Sequence, residues 1–180
     1  MAFDRDELLE KLARALAKNP GSSMKELAEE VGISKASLHR IYSTRESLCQ
    51  TLVAQTKNIF DNMIDITSRE HNDFLADLKE LISFHVENSA FVLFIGRDAF
   101  VRMIDEADWV RYDEELAAFF RAGKDAGLLL GDFSSEEMRD IFVSLVVGLL
   151  EYSLWGSRSG KAAEGLIYKA VMGGISSKGY

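Results

Sequence analysis

The chain contains one proline, Pro20, and one cysteine, Cys49, among its 180 residues. A lone cysteine excludes an internal disulfide framework and a cysteine-rich metal site, so a reducing compartment is expected. Because proline breaks helices, its scarcity together with plentiful Ala, Leu, Glu and Lys favours long, uninterrupted helices. The composition therefore predicts an all-α fold.

Long apolar segments are also missing. The longest apolar run, Ile141–Leu150, is too short for a membrane-spanning helix, which needs about 20 residues. The first residues are amphipathic and mixed in charge, unlike a signal peptide. Glycine loops, nucleophile elbows, paired carboxylates and metal-ligand spacings of histidine do not stand out. We therefore expect a soluble, cytoplasmic protein that is not an enzyme and uses no cofactor or metal.

The negative charge is unevenly distributed along the chain. The formal net charge is -8, yet residues 1–50 hold eight basic and eight acidic residues, whereas the remainder holds thirteen and twenty-one. Within the first part, Val31–Leu48 contains three basic residues and a single acidic residue, Glu46. The overall charge argues against nonspecific coating of nucleic acid, but this segment is electrically distinct from the rest.

The N-terminal third has the spacing of a three-helix unit. Apolar residues recur at helical intervals over residues 4–18, and the turn "NPGSS" follows. Ser23 and Glu26 have capping-box spacing for a second helix, Gly32 suits its end, and Ser34 can cap a third. Two short helices joined by a turn at Gly32 predict a helix-turn-helix. A plain helical hairpin in a bundle is the alternative, but the basic exposed face weighs against it.

Further helices are predicted along the rest of the chain. A winged-helix protein would need a β-hairpin after residue 42, but the sequence there indicates a helix. The apolar spacing places these helices at residues 45–68, 72–88, 91–105, 109–126, 135–156 and 161–174.

The predicted recognition helix carries groups that can bind DNA. In a helix-turn-helix, residues at the start of the second helix meet base edges in the major groove, while flanking residues hold phosphates. A phosphate is also favoured at the N-terminus of the preceding helix. The candidate DNA-binding residues are Ser22, Ser23, Ser34, Lys35, Ala36, Ser37, His39, Arg40 and Arg45.

The segment "MKELAEEVGISKASLHRIYSTRESL", Met24–Leu48, resembles the DNA-binding segment of the tetracycline-repressor (TetR/AcrR) family of transcriptional regulators. Leu27 and Ala28 stand for the core pair of the family pattern. In the third helix His39 takes the place of the usual tyrosine, Ile41 that of a histidine or tyrosine, and Tyr42 that of a phenylalanine. His39 and Ile41 thereby remove two common phosphate contacts.

The resemblance implies a DNA-binding domain, residues 1–46, joined by a long helix to a ligand-binding and dimerisation domain, residues 47–180. Aromatic residues are concentrated in the second part, where they favour either a plain core or a large apolar pocket for an effector. His85 points toward apolar neighbours, as a core histidine or a ligand contact. The candidate pocket residues are Phe60, Met63, Phe84, His85, Phe94, Phe100, Met103, Trp109 and Phe119.

The helix that contains Ile141–Leu150 is apolar on nearly every side. Such a helix has to be buried on all sides, which favours a four-helix bundle formed with a second copy of the chain. A central core helix is the alternative. The candidate interface residues are Ile141, Ser144, Leu145, Gly148, Leu149, Tyr152, Leu166 and Ala170.

These patterns together predict a homodimeric, sequence-specific regulator of transcription. We expect it to repress, to bind a pseudo-palindromic operator in double-stranded DNA, and to be released by a small apolar or amphipathic effector. Two alternatives remain: a helical interaction protein that does not bind DNA, and a DNA-binding protein of this fold without a small-molecule effector.

Overall fold

The computed structural model describes residues 4–154 and 160–175, and these residues form α-helices joined by short turns. The all-α fold is therefore confirmed. No helix among the described residues is long and apolar enough to cross a membrane. The helices are α1 (Arg5–Lys18), α2 (Met24–Glu30), α3 (Lys35–Ile41), α4 (Arg45–Ser68), α5 (Phe74–Glu87), α6 (Ser89–Ile95), α7 (Glu106–Asp125), α8 (Ser135–Leu154) and α9 (Gly160–Ile175).

The chain divides into two compact units. Unit 1 comprises the residues up to Asn58 together with Ser89–Asp105, and unit 2 comprises Ile59–Asn88 and the residues from Glu106 onward. The continuous helix α4 contributes residues to both units. The functional boundary expected between residues 46 and 47 stays a prediction.

Unit 1 is built on α1, whose apolar side is buried. Leu12 and Leu16 are fully buried, and α1 packs against α6 as well as against α2. A predicted helix over residues 91–105 is wrong: α6 ends at Ile95, and turns and one 3-10 turn, Val101–Met103, follow.

The break after α6 has a local and a tertiary cause. Gly96 is a poor helix former, which lowers the cost of leaving the helix there. Phe94 and Phe100 stack with ring centroids 4.3 Å apart and are both buried. In a continuous helix two residues six apart point about 120° from each other, so this stacking requires the chain to turn.

Unit 2 packs α7 against α8, α8 against α9, and α5 against α9. Helix α8 is buried along one stripe with a spacing of four residues, formed by Met138, Phe142, Val146, Leu150 and Leu154. Phe142 lies near Phe120 of α7, with ring centroids 5.4 Å apart. One face of α8 therefore supplies the core of unit 2, while the predicted last residues of this helix, 155 and 156, lie outside the described residues.

Candidate nucleic-acid interface and effector site

Capping interactions set the geometry of α2 and α3. The Ser23 hydroxyl accepts from the amide of Glu26, and the Glu26 carboxylate accepts from the amide of Ser23 at 2.7 Å. These bonds stabilise the charged form, so they hold the pKa of Glu26 below its usual value. Gly32 has φ of 75° in the turn, and the Ser34 hydroxyl accepts from the amide of Ser37 at 3.1 Å. The local signals predicted from the sequence are all present.

The outer face of α3 is open to solvent. Lys35, Ala36, His39 and Arg40 are exposed, whereas Leu38 is fully buried beneath them. The His39 ring donates from Nδ1 to the carbonyl oxygen of Ser43 at 3.2 Å, which leaves Nε2 for an outside partner. Helix α3 therefore presents a short row of polar and basic groups.

Ser34 and Ser37 are partly engaged with each other. The Ser34 hydroxyl donates to the Ser37 hydroxyl at 2.9 Å while it caps the helix. Ser34 is exposed and Ser37 is half-buried. Of the two, Ser34 offers more surface to a ligand.

All basic residues of α1 and α2 except Arg5 differ from those of α3 in their partners. Four of them form ion pairs within unit 1: Lys11 with Glu7 at 2.7 Å, Arg14 with Glu10 at 3.1 Å, Lys18 with Glu30 at 3.7 Å and Lys25 with Glu29 at 3.8 Å. Lys35 and Arg40 have no acidic partner among the residues that the structure describes. The positive charge of α3 is thus available to an external anion.

Arg45 and Ser22 are two of the expected phosphate contacts, and both are engaged within unit 1. The Arg45 guanidinium donates from Nε to the carbonyl oxygen of Ser22 at 3.0 Å and from Nη2 to the carbonyl oxygen of Pro20. It also lies over the ring of Phe100, 5.9 Å from its centroid. Ser22 itself is buried. Arg45 thus links the start of α4 to the turn between α1 and α2. Contact of either side chain with DNA stays a prediction.

Part of the predicted effector set comes together in unit 2. Phe60 stacks on Tyr112 with centroids 4.9 Å apart and meets Trp109 edge-on at 5.0 Å. His85 donates from Nδ1 to the carbonyl oxygen of Leu81 at 2.7 Å, and its Nε2 accepts from the Tyr112 hydroxyl at 2.9 Å. A buried polar pair thus borders an aromatic cluster.

The pKa values of this pair are shifted by burial. Burial lowers the pKa of His85 to about 4, because the charged imidazolium loses its hydration. The same cause raises the pKa of Tyr112. His85 is therefore neutral at pH 7 and Tyr112 keeps its proton. The partner of His85 was missed at the sequence level, because Tyr112 lies 27 positions away and carries no motif.

The other predicted pocket residues lie elsewhere. In unit 2 Met63 is buried, Phe84 is half-buried, and Phe119 packs among Phe74, Phe120 and His71. Phe94, Phe100 and Met103 belong to unit 1, where Met103 is 37% exposed. A single pocket lined by all nine residues stays a prediction.

A small cleft in unit 2 involves different residues. It lies between α5 and α9, has a volume of about 180 Å³ and is lined by Ile82, Tyr168 and three neighbours. This volume is below the roughly 300 Å³ of the smallest typical ligand pockets. None of the predicted pocket residues lines it.

The predicted dimer residues all retain some solvent exposure. Tyr152 is 63% exposed, and Ser144 and Gly148 are also exposed on α8. The remaining five residues are half-buried: Ile141, Leu145, Leu149, Leu166 and Ala170. A Cβ added at Gly148 would meet no atom of the described chain within 4 Å. This side of α8 and α9 is a largely apolar surface, on which Ser144, Gly148 and Tyr152 are exposed.

Groups that could hold a metal ion are absent among the described residues. Cys49 is a free thiol, buried in unit 1, and burial raises its pKa. A thiol with these properties is unreactive near neutral pH.

Similarity to known proteins agrees with the geometry of α2 and α3. A family model described as winged helix-turn-helix DNA-binding matches residues 5–43. In this chain the matched segment is followed directly by α4, where a winged helix would have a β-hairpin. The match and the exposed basic face of α3 define a helix-turn-helix DNA-binding protein.

Longer similarities identify the family. The HTH-type transcriptional regulator NfxB of Pseudomonas aeruginosa is 34% identical over 162 residues, which cover 88% of this chain and 84% of NfxB. The ketosteroid transcriptional regulator KstR2 of Mycobacterium tuberculosis aligns over 99% of this chain and 97% of its own, with TM-score 0.72 and 18% identity. The TetR-like regulator LfrR from Mycobacterium smegmatis in complex with proflavine aligns over 95% of both chains, with TM-score 0.64 and 18% identity.

The chain belongs, with NfxB, to the HTH-type DNA-binding transcriptional regulators, and it has the fold of the TetR-like regulators. The resemblance inferred from Met24–Leu48 is thereby confirmed. The expectation that the protein is not an enzyme agrees with this membership.

Replacement of His85 by glutamine is expected to change how stability depends on pH. The unfolded histidine takes up a proton below about pH 6.5, whereas the folded one does so only near pH 4. The unfolded state therefore binds more protons, and the parent loses up to about 3 kcal/mol of unfolding free energy as the pH falls from 7 to 4. His85→Gln should lack this loss in urea titrations at both pH values. The exposed-site control His39→Gln should follow the parent, and equal pH dependence in all three proteins would contradict the burial of a neutral His85.

Proposed function

We propose that the protein is a cytoplasmic homodimeric repressor that binds a pseudo-palindromic operator and leaves it when a small apolar or amphipathic molecule binds to unit 2. The observation that carries the DNA-binding part is the contrast in charge pairing. The cations of α1 and α2 named above are neutralised by carboxylates, whereas Lys35 and Arg40 on α3 have no acidic partner among the described residues.

The proposed contacts follow from the positions of these side chains. Lys35 lies at the start of α3, where it can donate to a guanine edge, and Ala36 can contact a thymine methyl group. His39 has Nε2 available, and Ser34 and Ser37 can add hydrogen bonds to bases. Ser22, Ser23 and Arg45 complete the proposed set, with Arg45 acting through the turn that it holds.

Two recognition helices require two copies of the chain. Regulators with a helix-turn-helix bind two half-sites about one helical turn of DNA apart, and the symmetry of the site mirrors that of the dimer. The apolar side of α8 and α9 is suited to pair with its symmetry mate, because Gly148 and Ser144 allow close approach of helices. The eight predicted interface residues remain accessible in the single chain, which supports this assignment.

The effector part rests on the aromatic cluster of Phe60, Trp109 and Tyr112. An apolar pocket with a few polar groups is typical of a small-molecule site, and His85 with Tyr112 supplies such a polar pair. The rings are in contact, so an effector has to separate them. LfrR, which shares the fold, binds proflavine. The same close packing also favours the alternative of a DNA-binding regulator without a small effector.

The DNA contacts are tested with an operator chosen by gel-shift selection from random duplexes at low salt. We expect Lys35→Ala with Arg40→Ala to weaken binding of the selected duplex by about 100-fold or more, because each specific contact contributes about 1 to 3 kcal/mol. The matched control Lys11→Ala with Arg14→Ala removes the same charge from paired positions and should bind nearly as the parent does. Failure of the parent to enrich any sequence would overturn the proposal.

The dimer is tested by replacing Gly148 with arginine, which places a charge at the centre of the proposed interface. The parent should have twice the chain mass of 20.1 kDa in light scattering after size exclusion, and Gly148→Arg should have the mass of one chain. Gly131→Arg, whose Cβ also meets no atom within 4 Å, carries the same charge outside the interface and should remain dimeric. A parent of single-chain mass, or a dimeric Gly148→Arg, would place the interface elsewhere.

The effector site is tested through the fluorescence of Trp109. In a Trp155→Phe background Trp109 is the single tryptophan. Compounds from a panel of aromatic molecules, beginning with proflavine, that release the selected operator should also quench this fluorescence with the same concentration dependence. Release without a change at Trp109 would place the effector site elsewhere, and a panel without any releasing compound would favour the regulator without a small effector.

A further inference from the structure

An open groove in unit 1 lies beside the recognition helix. It is formed by the first turns of α1, the end of α3 and the start of α4, and its volume is about 560 Å³. Arg5, Arg40, Tyr42 and Ser43 line it, together with one carboxylate, Asp6. The groove therefore adjoins the surface on which DNA binding is proposed, and it extends that surface toward the N-terminus of α1.

Tyr42 contributes a hydroxyl group to this groove. Its side chain is 9% exposed, and its hydroxyl has no hydrogen-bond partner among the described residues. The hydroxyl oxygen is not among the buried atoms that lack a partner, so it is open to the groove and a molecule there can reach it. Burial raises the pKa of Tyr42, so the hydroxyl keeps its proton and can donate.

The charges of the groove favour an anion. Arg5 and Arg40 both lack an acidic partner among the described residues, so two cations face a single carboxylate, that of Asp6. The Ser43 hydroxyl is also free to donate within that part of the chain. Two hydroxyl groups of α4 also line the groove, and both already donate to backbone carbonyl groups. Ser47 donates to the Thr44 carbonyl at 3.0 Å and Thr51 donates to the Ser47 carbonyl at 2.9 Å.

We propose that this groove receives a phosphate of the DNA backbone, whose oxygens accept from the Tyr42 hydroxyl and from the guanidinium groups of Arg5 and Arg40. The proposal rests on the proposed DNA-binding function and adds Arg5 and Tyr42 to its contacts. A guanidinium group forms paired hydrogen bonds with phosphate, and a hydrogen bond to a charged oxygen is stronger than a neutral one. The groove thus provides a phosphate contact beside the recognition helix.

The test measures how binding of a mixed-sequence duplex of about 20 base pairs depends on salt. Each phosphate contact made by a cation contributes about 0.9 to the slope of log affinity against log salt concentration. Fluorescence anisotropy between about 50 and 200 mM sodium chloride should give a slope for Arg5→Gln that is smaller than the parent's by about 0.9. Tyr42→Phe should keep the parent's slope and bind about tenfold more weakly, because it loses a hydrogen bond but no charge.

The matched control is Arg111→Gln, which removes the same charge from an exposed ion pair with Asp61 at 2.9 Å. Its slope should equal the parent's, and thermal melting followed by circular dichroism should show all variants folded. Parent protein that does not bind the duplex at low salt would overturn the proposed function and this inference together. Binding by the parent with equal slopes for Arg5→Gln and Arg111→Gln would overturn the inference alone.

A site for free phosphate would behave differently. Inorganic phosphate would then raise the melting temperature of the parent and not that of Arg5→Gln, while the salt slope for DNA stayed equal in both. This result would overturn the assignment to backbone phosphate.

Discussion

The guanidinium group of Arg45 ties together parts of unit 1 that are distant in sequence. It donates to two carbonyl groups in the turn between α1 and α2, and it covers the ring of Phe100 in the segment after α6. The planar fork of an arginine can hold two carbonyl oxygens at once, which the point charge of a lysine does less well. A cation at the N-terminus of α4 is disfavoured by the helix dipole, and the carbonyl oxygens compensate for this. This interaction therefore helps to fix the turn from which α2 begins.

An acidic protein can bind DNA when its cations are paired unevenly. In unit 2 several arginines are held by carboxylates: Arg69 pairs with Asp77 and Glu80, and Arg111 pairs with Asp61. Partial burial acts to raise the pKa of Asp77, but the hydrogen bonds from His71 and Arg69 outweigh it and hold this pKa below its usual value. On α3, Lys35 and Arg40 have no carboxylate partner among the residues that the structure describes. Local charge is thus set by which cations lack a partner, more than by the net charge of -8.

Features governed by neighbouring residues were predictable from the sequence. The capping box of Ser23, the positive φ of Gly32 and the cap of Ser34 follow from residues within three positions, and all are observed. Features that depend on partners distant in the sequence were not predictable in this way. The stacking of Phe100 on Phe94 ends a helix that periodicity extends to residue 105, and Tyr112 meets His85 across 27 positions. The carbonyl partners of Arg45 were not predictable for the same reason, because they lie more than 20 positions earlier in the chain.

The packing of α6 on α1 has a consequence for how the protein is made. Unit 1 is assembled from two stretches of chain separated by the 30 residues of 59–88. The apolar side of α1 is covered partly by α6, so the helix-turn-helix leaves the ribosome before the helix that completes its core. Closing a loop of this length costs only a little more entropy than closing a short one, so the delay in completing unit 1 is set mainly by synthesis. During that interval the nascent chain exposes the leucine side of α1, which makes it a substrate for chaperones until residue 95 has emerged.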